Sequence, residues 1–170
     1  ELVAARWDRD FDFPAIRDGR VVKSEIAHQR PSGIMGLVMN TRNPLFADWR
    51  VRQAMIEAFN YKFINMTLSG GKDPRITSYF SNSDLAMQPG PATGREAELL
   101  APFAGQLPPG TLEGYTLPPG GARAIDRDGI RAALAHLREA GWTVQNGELR
   151  NGQGEPFVFD ILLNQSGSAM

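Results

Sequence analysis

The stretch "GLVMNTRNPLFADWRVRQAMIEAFNYKF", Gly36 to Phe63, constrains this chain more than any other. It passes from a strand-length apolar run through a proline-marked turn into an amphipathic helix. Pro44 cannot sit in a helix interior, and Asp48 is a natural N-cap. Val51, Ala54, Met55, Ala58 and Phe59 follow at the i, i+3, i+4, i+7, i+8 spacing of one buried stripe. Arg50, Arg52, Gln53, Glu57 and Asn60 fall off it, which predicts a solvent side carrying Gln53 and Glu57 one turn apart.

The other elements are read around it. Leu2 to Trp7 suits a short helix. Val21 to Ile26 alternates like an edge strand, and Ile34 to Met39 is a compact apolar run of strand length. A short helix is predicted over Phe63 to Leu68, stopped by Gly70-Gly71, and another over Arg95 to Phe103. Near the end, Ile130, Ala133, Leu134, Leu137 and Ala140 make a second apolar stripe. Asp128 is placed to cap that helix, and Gly141 to end it. Asn146-Gly147 predicts a hairpin turn between Trp142/Val144 and Leu149. Phe157 to Leu163 reads as one more strand. Between Lys72 and Gly121, Pro and Gly cluster while Tyr79, Phe80, Phe103 and Tyr115 are interleaved. That mixture predicts a long ordered excursion over the surface. Helices and short strands together give a mixed α/β lobe.

Composition excludes several functions. The 170 residues can bury one real core, and the formal net charge of -1, with no Lys/Arg-rich run, argues against a nucleic-acid surface. There is no cysteine, so thiolate metal sites and disulfides are out. No apolar run is long enough to span a bilayer, so no direct membrane insertion is expected.

Catalytic and metal motifs fail one by one. "DRDFD" sets Asp8, Asp10 and Asp12 at alternate positions, but Phe13 and Gly19 stand where a calcium loop needs Gly and Glu. "GGKDP" lacks the Ser or Thr that a phosphate loop needs after Lys72. His28 and His136 are the only histidines; His136, beside Glu139 on a polar flank, reads as a solvated residue. No nucleophile-and-base pattern is present. The chain is therefore read as a non-enzyme, with no cofactor and no metal.

The opening stretch also carries a resemblance. Met39, Asn40, Thr41, Pro44, Phe46, Asp48, Arg50, Val51, Arg52, Gln53 and Ala54 closely resemble a segment of the oligopeptide- and dipeptide-binding proteins of bacterial ABC importers. These form family five of the extracellular solute-binding proteins. Many members carry Asp-Lys or Asp-Arg where this chain has Tyr61-Lys62. "FDFPAIRDGRVVK", "TSYFSNSDLA", "LLAPFAGQLPP" and "ALAHLREAGWTVQNGEL" resemble the microcin- and oligopeptide-type branch, so the likeness covers nearly the whole sequence.

The resemblance implies part of a two-lobed periplasmic binding protein of the type II fold. Residues 1–34 would be the tail of the first lobe, 35–47 the crossover between lobes, and 48–170 the beginning of the second large lobe. A start at Glu1 without Met, and an end just after a strand, fit a piece of a longer chain. A signal peptide would precede it, for a periplasmic or lipid-anchored protein. The implied function is binding of oligopeptides or peptide-like compounds in the inter-lobe cleft and delivery to ABC permease subunits. Nickel complexes, haem or sugars are other cargoes of this architecture, although no His cluster supports nickel. A structural or interaction domain without ligand is the remaining alternative. Candidate ligand contacts are Asn40, Thr41 and Arg42 at the crossover and Tyr79, Ser81 and Asn82 in the excursion. For Arg42 an exposed surface arginine is the plainer reading, and for Tyr79, Ser81 and Asn82 an ordinary polar turn with its aromatics anchored in the core.

Overall fold

A computed structural model describes residues 10–22, 24 and 26–163. In chain order its elements are α1 (Pro14–Arg17), α2 (Pro44–Ala47), α3 (Trp49–Ala58), α4 (Tyr61–Ser69), α5 (Gly94–Leu100), a 3-10 helix (Ala101–Gln106), α6 (Arg127–Glu139), β1 (Thr143–Gln145) and β2 (Glu148–Arg150). Among the described residues the architecture is mixed α/β, with helices dominant and one small two-stranded sheet. The helix expected over Leu2 to Trp7 lies outside the described residues.

The core is where α3 meets α6. Arg50, at the start of α3, reaches the end of α6, where it donates to the Glu139 carbonyl at 2.7 Å. Gly129, at the start of α6, lies against the Glu57 carbonyl near the end of α3. The two helices therefore run antiparallel. Val51 and Ala54 face Ala133 and Leu137, and Phe46 of α2 closes the cluster. An aromatic chain extends it: Phe46 meets Phe159 edge-on at 5.4 Å, Phe159 meets Phe157 at 5.9 Å, and Phe157 meets Trp142 at 5.0 Å. Edge-to-face geometry suits ring quadrupoles and adds to the burial itself.

Capping matches the sequence in most places. Asp48 Oδ1 accepts from the Arg50 amide at 2.9 Å, and Gly70 ends α4 at φ 61°. The second long helix is capped differently from expectation. Asp126 Oδ1, not Asp128, accepts from the Gly129 amide, while Asp128 pairs with Arg131. Both acids precede the stripe, and only the chain's approach to the helix selects between them.

Other expectations need correction. The α3 stripe stops early: Ala58 and Phe59 are exposed, because the chain leaves the helix at Phe59 (ψ 96°) so that Asn60 can cap α4. In α6, Gly129 faces inward and Ile130 is 42% exposed. Helix α5 gives way to 3-10 geometry at Ala101, just before Pro102, which has no amide to continue the ladder. Gln53 and Glu57 are not simply solvated. They bond each other at 2.9 Å, and the Tyr115 hydroxyl donates to Gln53 Oε1.

The strands divide in the same way. The hairpin forms as read, with Gln145 opposite Glu148 and Asn146 and Gly147 both at positive φ, the geometry of the twisted two-residue turn. Residues 157–163 form no regular strand. One bridge joins Pro156 to Arg150, and the Phe157 amide donates to the Leu149 carbonyl at 2.9 Å. Residues 21–26 and 34–39 form no strand among the described residues. Val22, Ile26, Met35 and Val38 stand exposed, and only Met39 reaches the core edge. An apolar run becomes a strand only when a second strand pairs with it, and none of the described residues does so here.

The excursion between α4 and α6 is ordered by polar bonds to the helices. Asn60, 8% exposed, is the main fastening. Its Oδ1 accepts from Phe63 and Gly121 amides, and its Nδ2 donates to the Arg123 carbonyl at 2.7 Å. Asn65 grips both backbone groups of Asp73, and Arg75 donates to the Pro118 carbonyl at 2.9 Å. Each long-range bond replaces water on a backbone group that a loop would otherwise leave unpaired.

Candidate functional site

The site is built on the join and on the excursion that returns to it. At the join, Asn40 Oδ1 accepts from the Arg42 amide at 3.2 Å and from Arg42 Nε at 3.4 Å. The Asn43 amide donates to the Asn40 carbonyl, and Asn43 Oδ1 caps α2 through the Leu45 amide. Asn40, Thr41 and Arg42 thus form an exposed turn held by Asx hydrogen bonds. Asn40 is spent on the turn. Thr41 and Arg42 remain at the surface.

The two arginines that follow fasten α2 and the start of α3 to the core. Arg50 makes a forked pair with Asp48, 2.6 Å at its shortest, and spans to the end of α6. The bonded guanidinium holds the Asp48 carboxyl below its ordinary value of 3.8. Arg52 donates to the Phe46 and Ala47 carbonyls at 2.7 and 2.9 Å, satisfying the open end of α2.

The second group lies in the excursion. Ser81 Oγ accepts from the Ser78 amide and donates to the Ser78 carbonyl at 2.8 Å, closing a tight turn. Tyr79 sits within that turn with its side chain 70% exposed. Asn82, at φ 67°, donates from Nδ2 to the His28 and Arg30 carbonyls at 2.9 and 3.0 Å. The Ser32 amide donates to the Ser81 carbonyl at 2.9 Å. The structure therefore brings Ser81 and Asn82 to the chain that enters the join. No hydrogen bond connects residues 40–42 with residues 79–82 among the described residues.

A concave space of about 580 Å³ opens beside α3, between Trp49, Gln53, His136 and the Pro108–Thr111 and Tyr115 stretch. Trp49 and His136 meet edge-on at 6.1 Å. His136 is half-buried rather than solvated, and its Nδ1 has no hydrogen-bond partner among the described residues. Burial pushes the Tyr115 phenol above its ordinary value of 10.0. The sequence hides this grouping because its members lie far apart along the chain. The one local signal is Trp49 at a helix start, off the buried stripe. Among the described residues no His, Asp and Glu cluster could hold a metal ion.

Comparison with known proteins decides the family. The model of the bacterial extracellular solute-binding proteins, family 5 middle region, matches residues 4–170. The chain belongs to that family. A putative binding protein of Brucella melitensis is 37% identical over 92% of this chain and 26% of its own length. The probable peptide-binding protein YejA of Agrobacterium fabrum is 37% identical over 98% of this chain and 28% of its own. The peptidoglycan-binding protein YepA of Agrobacterium fabrum is 33% identical over 93% of this chain and 26% of its own. The chain thus spans about a quarter of the length of these relatives. Within the family 5 match, the Arg-Val-Arg-Gln segment has a structural meaning: its arginines lock α2, α3 and α6 together. No helix among the described residues is long and apolar enough to cross a membrane.

Proposed function

We propose that this chain is the middle part of a two-lobed binding protein that captures peptides outside the cytoplasmic membrane and hands them to an ABC permease. The observation that carries this reading is the likeness to the probable peptide-binding protein YejA, 37% identical across 98% of this chain. In this reading residues 1–34 end the first lobe, 35–47 cross over, and 48–170 begin the second. A signal peptide precedes the sequence, and the mature protein is periplasmic or lipid-anchored. The protein binds and does not catalyse, in keeping with the lack of any acid/base or nucleophile pattern in the sequence.

The geometry supports a division of labour among the candidate residues. Tyr79, Thr41 and Arg42 are exposed and are the ligand-facing groups. Asn40, Ser81 and Asn82 spend their hydrogen bonds on turns and fastenings. Ligand contact with both lobes would shift the open and closed populations toward closure. Calorimetric titration of the two-lobed protein with short peptides tests the reading. Heat and thermal stabilisation with a peptide pool are expected, and their absence with every pool overturns it. A second reading, capture of peptide-bearing cell-wall fragments, is favoured by the likeness to the peptidoglycan-binding protein YepA. Titration with muropeptides beside free peptides separates the two.

A further inference from the structure

We propose that Ser81 and Asn82 are positioning residues, forming a clasp that locks the excursion to the chain entering the crossover. The inference rests on the two-lobed reading above for its functional meaning. The structural relation stands on the geometry alone. Residues 28–32 and 81–82 lie on opposite sides of the proposed crossover, 49 residues apart between Ser32 and Ser81.

Four bonds to carbonyl groups make the clasp, and Asn82 Nδ2 also lies 3.4 Å from His28 Nδ1. Asn82 Nδ2 donates to the His28 carbonyl at 2.9 Å and to the Arg30 carbonyl at 3.0 Å. The Ser81 carbonyl accepts from the Ser32 amide at 2.9 Å and from Ser32 Oγ at 3.2 Å. Three of the four engage backbone groups of residues 28–32, a segment with no regular secondary structure whose Arg30 amide also donates to His28 Nδ1 at 3.2 Å, so the bonds fix mainly its path. Asn82 sits at φ 67°, a conformation that asparagine tolerates better than most residues. Its backbone is therefore bent to aim the amide back at residues 28–30.

The clasp has a mechanical consequence. The base of the excursion is already bolted to α4, through Asn65 to Asp73 and through the Arg75 guanidinium over the Tyr61 ring at 5.6 Å. Closing residues 81–82 onto residues 28–32 makes one connected path from α4 to the entry of the crossover. Tyr79, two residues before Ser81, is carried on that path with its ring exposed. A movement of the crossover then moves Tyr79. Without the clasp, Tyr79 would be free of it.

Amide hydrogen exchange of the two-lobed protein tests this with Asn82→Gly and Asn82→Asp. Glycine keeps the left-handed backbone and removes the amide. Aspartate keeps the size but faces two carbonyls with a group that cannot donate. In both variants the Ser32 amide should exchange faster, by about tenfold for loss of two neighbouring hydrogen bonds. The Asp73 amide, held by Asn65, should not change. Peptide affinity should fall by roughly fivefold as the unfixed segment must be ordered on binding. An unchanged Ser32 rate in both variants overturns the clasp. So does loss of affinity without faster Ser32 exchange, because Asn82 would then touch the ligand directly. Failure of wild-type protein to bind any peptide removes the proposed ligand, and the exchange comparison still decides the clasp.

Discussion

Arg50 donates to the Glu139 carbonyl at 2.7 Å across 89 residues of sequence, tying the first turn of α3 to the last turn of α6. A cation at a helix C-terminus is favoured by the helix dipole, and here the same guanidinium also forks onto Asp48. The expected outcome of Arg50→Lys is a lower Tm. An ammonium is a point donor and cannot serve a carboxylate fork and a carbonyl at that separation together. Thermal melting of wild type and variant checks this. A Tm equal to wild type would show that the fork contributes nothing.

The Arg50–Asp48 pair also sets an acid dependence. The Asp48 carboxyl is held below its usual 3.8, first by the Arg50 side-chain bond. A lowered folded-state value means that the unfolded chain binds the proton more readily. The contribution is therefore fully present above the unfolded value, and is lost as pH falls from about 4 through the folded one. Asp48→Asn should lower stability at neutral pH and flatten this part of the acid limb. Denaturant midpoints at pH 7 and pH 3 check it, with a smaller difference expected for the variant.

Val51 is the most enclosed large side chain described, 1% exposed. Val51→Ala leaves a void between α3 and α6 in a close-packed region. The expected loss is about 2 kcal/mol from the removed methyls and incomplete collapse. Chemical denaturation measures it, and a loss below about 0.5 kcal/mol would mean that the core is not packed as described.

The helix pair was readable because its information is local. Val51 with Ala54, and Ala133 with Leu137, show the burial period within one turn, and Asn146-Gly147 specifies its turn by backbone chemistry alone. What escaped the sequence depends on partners distant in the chain. Tyr115 over Gln53, Trp49 against His136 and Asn82 on residues 28–30 are long-range pairings that leave no local period. Ile34 to Met39 failed as a strand for the same reason: the apolar run is necessary, but a ladder partner is what makes it a strand. By sequence, Asn40 at the crossover and Ser81 and Asn82 in the excursion are candidate ligand contacts. Their hydrogen bonds show that the same residue types serve turns as readily as ligands.

Tyr115 is half-buried against α3, and its hydroxyl donates to Gln53 Oε1 at 3.1 Å. Tyr115→Phe should cost about 1 kcal/mol, since it leaves a partly buried acceptor short of a donor. Burial raises the Tyr115 phenol above 10.0. The unfolded chain therefore ionises first, and wild-type stability should fall as pH rises above about 10. The Phe variant should lose less between pH 9 and 11 than wild type does. Equal losses in the two proteins would remove Tyr115 from the alkaline limb.

Gly129 gives the sharpest test of the α3–α6 packing. It lies in α6, where alanine would ordinarily stabilise a helix by roughly 1 kcal/mol. Here an added Cβ would stand 2.5 Å from the Glu57 carbonyl and 3.0 Å from Asp126 Oδ2. The first is backbone of the opposing helix and cannot rotate away. The second belongs to the N-cap that starts α6. Overpacking of this kind costs about 1–3 kcal/mol, so Gly129→Ala should destabilise despite the helix preference. The sign is the measurement. A raised Tm would mean that the helices sit further apart than Gly129 and Glu57 place them, whereas a lowered one confirms close backbone contact at this end of the pair.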